Sequence, residues 1–178
     1  MDEPLLIAFG SNLDPLPNLT AGLTRLHACL GIRRISRVYR TAPVGEIASQ
    51  PDFLNGVVAL ERGLPPLELK ALLRDIEAAQ KRERPPGGKH YGPRTLDLDI
   101  LLMGARVVKR EGLTIPDPDL LTRPFLAWPA AELYPLFPHP LTGLSLVEGA
   151  RCLQQQPGVM EVDPEASRLL TELFPALE

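Results

Sequence analysis

"GPRTLDLDILL", residues 92–102, sets two aspartates, Asp97 and Asp99, one residue apart inside an apolar run that follows an arginine. In a strand successive side chains alternate faces, so Thr95, Asp97 and Asp99 point one way and Leu96, Leu98 and Ile100 the other. Both carboxylates then share a face, with their backbones ~6.6 Å apart at ~3.3 Å per residue. Two ionised groups so placed repel unless something positive sits between them. An isolated D-x-D has two readings, the solvated face of an edge strand, which is the commoner, and a metal site. The stretch upstream changes the balance: Arg82, Arg84, Lys89, His90 and Arg94 fall in one loop broken by Pro85, Pro86, Gly87 and Gly88. Basic groups beside paired carboxylates suit a polyphosphate with magnesium. Hard divalent cations take carboxylate and phosphate oxygens together, while arginines meet the remaining phosphate oxygens with paired hydrogen bonds. A charge run alone reads as a solvated loop; its adjacency to Asp97 and Asp99 favours the site.

Working outward, LLIAF (5–9) is a short apolar run ending in Gly10-Ser11-Asn12 and reads as a buried strand entering a turn. Leu19, Leu23, Leu26 and Leu30 recur at helical spacing between Pro17-Asn18 and Gly31, which predicts a helix over 17–30. IRRISRVYR (32–40) and FLNGVVALE (53–61) read as strands. A second helix begins near Pro66, with Leu69, Leu72, Leu73 and Ile76 on its face, and fades near Arg82. LDLDILL (96–102) is the fourth strand. Strand, helix, strand, strand, helix, strand is the split βαβ pattern of ferredoxin-like α+β folds, with helices on one face of an antiparallel sheet. Further on, 106–108 reads as a short strand, and 123–133 and 145–153 as short helices able to cover the other face. The last stretch, from about 161, has a brief helical pattern of Leu169, Leu170 and Leu173 without an assignable role.

Length and charge bound the function. The 178 residues suit one well-packed core, and a formal net charge of −3 gives no global positive field for nucleic acid or an anionic membrane. Cys29 and Cys152 lack metal-ligand spacing and read as packed, reduced thiols. The acidic amino terminus and the short apolar runs lead to the expectation of a soluble cytoplasmic protein without a membrane segment.

Other polar positions carry two readings each. Gly10-Ser11-Asn12 offers either backbone donors for a phosphate or ordinary turn chemistry. Asn55, polar at a half-buried strand position, must find partners there and either caps a loop or reads the amide edge of a ligand. Phe53, Tyr91, Phe125 and Trp128 taken singly are packing residues. His27 and His139 have no partners at ligand spacing and read as structural.

Taken together, these stretches resemble the 6-hydroxymethyl-7,8-dihydropterin pyrophosphokinases, folate-pathway enzymes that move pyrophosphate from ATP onto a pterin alcohol. The resemblance rests on "IAFGSNL" (7–13), "YRTAPVG" (39–45), "QPDFLNGVVALE" (50–61), "IE" (76–77) followed by "RER", "GPRTLDLDILL" and "LTIPDPDLLTRPFLAWPAAEL" (113–133). It covers about residues 4–158, which leads to a domain over 1–160 and a separate tail over 161–178. It implies a ferredoxin-like αβα sandwich, a βαββαβ core with extra C-terminal helices. It further implies that Asp97 and Asp99 bind two magnesium ions bridging the ATP phosphates. By the same resemblance Arg82, Arg84, Arg94 and Arg123 face the triphosphate, Arg82 and Arg94 acting in catalysis, and Glu77 lies near the nucleotide. The pterin is held by the backbone of Thr41, Ala42, Pro43 and Val44 and by Asn55, with its ring between Phe53 and Phe125.

This chain departs from the family in three places. Asp117 stands after "IP" where the family has histidine, on the nucleotide side. PPGGKH lengthens the basic loop, leaving Lys89 and His90 as alternatives for its basic position. Tyr91, on the substrate side, replaces tryptophan. Two rival classes remain open: an RNA-binding ferredoxin-like module using 82–94, which lacks the aromatic RNP pattern, and a metal-dependent phosphohydrolase using the same aspartates.

Overall fold

The computed structural model describes residues 3–43, 50–81, 94–153 and 160–176. A run of apolar residues buried on both sides makes β1 (Leu5–Ser11) an interior strand of the sheet, and every one of its residues is buried. It pairs antiparallel with β4 (Phe53–Leu60) on one side and β5 (Asp97–Met103) on the other. Helix α1 (Pro15–Leu30) leaves β1 and crosses over β4 to reach β2 (Ile32–Ile35). Helix α2 (Pro66–Ala79) leaves β4 and crosses over β1 to reach β5, which matches the interleaved order expected from the sequence pattern. Gly31 stops α1 at φ 71°, a left-handed conformation that favours glycine.

The stretch 32–40, expected as one strand, is two: β2, and β3 (Tyr39–Thr41), both antiparallel to β4. Ser36 divides them. Its hydroxyl accepts a hydrogen bond from Val57 N at 2.9 Å, in the place of a backbone carbonyl, and donates to Arg37 O at 2.8 Å. A side chain that replaces a ladder acceptor breaks the register. The short strand expected at 106–108 lies two residues later, as β6 (Val108–Arg110), and its hairpin partner β7 (Leu113–Ile115) turns on Gly112 at φ 71°.

Two cores sandwich the sheet. Leu19, Leu23 and Leu26 of α1 and Leu69, Leu73 and Ile76 of α2 pack on Ile7, Phe9, Val58, Leu98 and Ile100. Leu23 and Leu26 are fully buried, and truncating either to alanine would cost about 2–5 kcal/mol. On the other face Leu6, Ala8, Val57, Ala59 and Leu101 meet α3 (Pro124–Leu133) and α4 (Leu146–Cys152). Ser145 and Glu148 form a reciprocal cap that starts α4.

The end of the chain joins this architecture. β8 (Met160–Val162) pairs with β3 as the outermost strand, and α5 (Pro164–Leu173) buries Ala166 and Leu170 in the α1/α2 core. Of the sequence pattern Leu169, Leu170 and Leu173, the first two pack on this core and Leu173 is exposed. Cys29 and Cys152, expected to be packed, are both exposed, because each sits on the outer side of its helix. None of the described helices is long and apolar enough to cross a membrane.

Candidate functional site

Strand register lays Asp97, Gly10, Asn55 and Tyr39 in one row across β5, β1, β4 and β3. By alternation Asp99 and Phe53 share their face, which is the face that carries α3. Gly10 must be glycine, because a Cβ would lie 2.6 Å from Asn55 Oδ1, which reaches across it. With Thr41, Ala42 and Arg94 around the rim, and Asp117, Asp119, Arg123 and Phe125 opposite, these residues line a cleft of about 370 Å³.

One wall is charged. Arg94 Nη1 donates to Asp97 Oδ2 at 2.5 Å, so an arginine three residues upstream sits against one member of the aspartate pair. Arg94 is itself fastened. Its amide donates to Asn12 Oδ1 at 2.7 Å, and its carbonyl accepts from Asn12 N at 3.0 Å and Leu13 N at 3.2 Å. Of the two readings of Gly10-Ser11-Asn12, turn chemistry prevails, since these backbone donors are turned onto Arg94. Asp99 is exposed to the cleft. Across from it, Asp117 Oδ1 accepts from Asp119 N at 2.7 Å, and Arg123 Nε donates to Asp119 Oδ2 at 2.9 Å. Burial raises the Asp117 carboxyl above the usual carboxylate range, with Asp119 and Asp97 adding to the rise while the Asp119 amide and Arg123 oppose it.

The other wall is neutral. Asn55 Nδ2 donates to Thr41 Oγ1 at 2.6 Å, and Phe53 and Phe125 are half-buried beside it. Tyr39 donates its hydroxyl to Glu132 of α3, and Arg37 Nη2 meets the same carboxylate oxygen at 2.8 Å. Burial, then the bond to Glu132, pushes the Tyr39 hydroxyl pKa well above its ordinary value. These contacts tie β3, which carries Thr41, to the helix that carries Phe125.

Glu77 is only 2% exposed, and its Oε1 accepts from Leu98 N at 2.8 Å, covering an outward amide of the edge strand β5. With Lys70, Arg74 and Thr114 it also lines a second pocket of about 320 Å³, which shares Asp99 and Asp117 with the cleft. Pro43 is half-buried just beyond Ala42. Arg82, Arg84, Lys89, His90, Tyr91 and Val44 lie outside the described residues. Asp119 was not among the sequence candidates, although Asp117-Pro118-Asp119 repeats the spacing of Asp97 and Asp99. His27 accepts from Ile32 N at 2.9 Å, and buried His139 accepts from Leu141 N at 3.3 Å, both as local structural bonds.

The donor set suits magnesium. Among the described residues no three His, Cys, Asp or Glu side chains converge as a self-sufficient cage. A pair of carboxylates on one face, with room for ligand oxygens, is the arrangement that holds magnesium jointly with substrate phosphates.

Residues 6–135 match the family model of 7,8-dihydro-6-hydroxymethylpterin-pyrophosphokinase, HPPK. A 2-amino-4-hydroxy-6-hydroxymethyldihydropteridine pyrophosphokinase of Bacillus subtilis is 34% identical over 165 residues, 90% of this chain and 96% of the relative. The Pseudomonas aeruginosa protein of the same name is 38% identical over 138 residues, 76% of this chain and 83% of its own length. Among solved structures, Plasmodium falciparum HPPK-DHPS superimposes with a TM-score of 0.64 at 10% identity, covering 84% of this chain and 44% of that one. The chain thus spans less than half the length of that neighbour, and the likeness is one of fold.

Proposed function

The chain belongs to the 7,8-dihydro-6-hydroxymethylpterin-pyrophosphokinase family, and on that premise we propose that its two-walled cleft is where pyrophosphate passes from ATP to 6-hydroxymethyl-7,8-dihydropterin, releasing AMP. The enzyme is a transferase of folate synthesis with ATP as co-substrate. One observation supports this placement above the others. Asp97 and Asn55 flank side-chain-free Gly10 in a single row, roughly 9–10 Å apart at two interstrand spacings of about 4.8 Å each. A pterin read by Asn55 therefore projects its hydroxymethyl group over Gly10 toward the carboxylates.

On the neutral wall, Phe53 and Phe125 take the flat ring between their faces. Asn55 and the backbone of Thr41, Ala42, Pro43 and Val44 match its amide edge, rejecting rings that would leave those groups unpaired. On the charged wall, Arg94 and Arg123 exchange carboxylate partners for phosphate oxygens, and Arg82 and Arg84 are further candidates to face the triphosphate. The pocket of Glu77, Lys70 and Arg74 adjoins at Asp99 and takes the rest of the nucleotide. Asp97 and Asp99 would hold two magnesium ions, which, when bound, neutralise phosphate charge and align the displacement. The hydroxymethyl oxygen attacks the β-phosphorus in line and AMP departs, a transfer governed by alignment and charge and needing no protein nucleophile. We further propose that the α+β core is ferredoxin-like, on the strength of its β5-β1-β4-β2 order with every neighbour antiparallel, and that the protein works in the cytoplasm without a membrane or nucleic-acid partner.

The test is to mix the protein with ATP, magnesium and 6-hydroxymethyl-7,8-dihydropterin and to resolve the nucleotide products. AMP that forms only when pterin is present is expected. ADP, or ATP breakdown indifferent to pterin, would replace this reading with that of a phosphohydrolase.

A further inference from the structure

The family match ends at residue 135, yet β8 joins the sheet beside β3, on the pterin side of the cleft, and α5 packs in the core beneath it. β3 is only three residues long, and with β4 alone it would be a frayed edge. β8 removes that edge by pairing Tyr39 with Val162, Arg40 with Glu161 and Thr41 with Met160. Just before β3, both backbone groups of Val38 are taken by the start of α5. Val38 N donates to Ser167 Oγ at 2.8 Å, and Val38 O accepts from Asp163 N at 2.8 Å. Arg40 Nη2 then meets Asp163 Oδ2 at 2.6 Å. Burial opposes the charge on Asp163, but the Ala166 amide that it caps and the Arg40 guanidinium outweigh this and hold its carboxyl below the usual range. Ala166, Leu170 and Phe174 pack in the same core as Val38 and Leu54.

We propose that β8 and α5 are a positioning element for the pterin: they clamp β3 so that the Thr41–Pro43 backbone, and the Thr41 hydroxyl that engages Asn55, stand at the cleft before the ligand arrives. This rests on the pterin reading of that wall given above. A ligand contact held in place beforehand costs less ordering on binding. β5, which carries Asp97 and Asp99, lies three strands from β3 in the sheet, so loosening the clamp affects pterin and spares nucleotide.

The experiment uses the full chain. Asp163→Asn keeps an acceptor for the α5 cap but drops the charge facing Arg40, and Ser167→Ala removes the partner of Val38 N. In the double variant the KM for pterin is expected to rise about three- to tenfold, with kcat and the KM for ATP within about twofold, since each tenfold is ~1.4 kcal/mol. Amide exchange should quicken at Tyr39–Thr41 and not in β5, and Ser167→Thr should restore both readouts. Arg168→Ala, whose exposed guanidinium pairs with Glu172 on the same helix, should alter neither. A loosened β3 with an unchanged pterin KM overturns the proposal. So does unchanged exchange, or an equal loss toward both substrates with a lowered Tm. Absence of pterin-dependent AMP in the parent chain would instead sink the functional reading that precedes it.

Discussion

The two walls of the cleft grow from one sheet yet are held in opposite ways. The charged wall keeps Asp97 against Arg94 and Asp119 against Arg123, bonds that an incoming phosphate can take over. The neutral wall keeps Asn55 on Thr41 and Tyr39 on Glu132, bonds within the protein that fix a shape. On the proposed reading, a polyphosphate is met by exchangeable ion pairs and a flat ring by a preset surface.

The largest expected effect breaks the charged wall. Asp97→Ala or Asp99→Ala should lower turnover by about a hundred- to a thousandfold, the scale of losing one preorganised electrostatic contact to the reacting group. The pterin KM should move little and circular dichroism should stay native. Both variants retaining turnover in the AMP assay would contradict the metal role. The neutral wall should respond in the other parameter. Asn55→Ala leaves the Thr41 hydroxyl without its donor and the pterin edge unread, so the pterin KM should rise roughly ten- to a hundredfold at constant ATP KM, on the scale of an unpaired buried polar group. Equal loss toward ATP would show that the walls are not separate.

The smallest effect sharpens the contrast through Asp117. Its carboxyl titrates above the ordinary range in the folded chain. A raised carboxyl helps folding only below its unfolded pKa, and that help is lost as pH rises through the folded value. At pH 7 ionised Asp117 therefore costs stability. Asp117→Asn, which keeps an acceptor for the Asp119 amide, should raise Tm by a few degrees in metal-free protein at neutral pH, on the ~2–4 °C per kcal/mol scale of chains this long. The gain should fade on acidification toward the ordinary carboxylate range. A Tm gain that persists at acid pH would detach the effect from this charge.

Much of this was legible beforehand. The leucines of α1 and α2, the split βαβ order, and Asp97 and Asp99 on a shared face follow from periods of 3.6 and 2, which are local properties. The division of 32–40 at Ser36 was not, because the hydroxyl that interrupts the ladder is paired with Val57, far along the chain. Exposure of Cys29 and Cys152 was also hidden, since apolar surroundings in sequence do not say which side of a helix finds the core. Asp119 escaped because its spacing to Asp117 lies in a turn, where alternation gives no shared face.

Residue order alone set β1, α1, β4, α2 and β5, which of their faces are apolar, and that two carboxylates share one surface of β5. Placing Asn55 and Asp97 on either side of Gly10, seating Arg94 on the Asn12 turn, and closing the β3 edge with β8 and α5 required the folded chain. The reason is physical: periodicity is written in neighbours a few bonds apart, whereas a row across four strands is the product of pairings between segments that meet only when the core is buried.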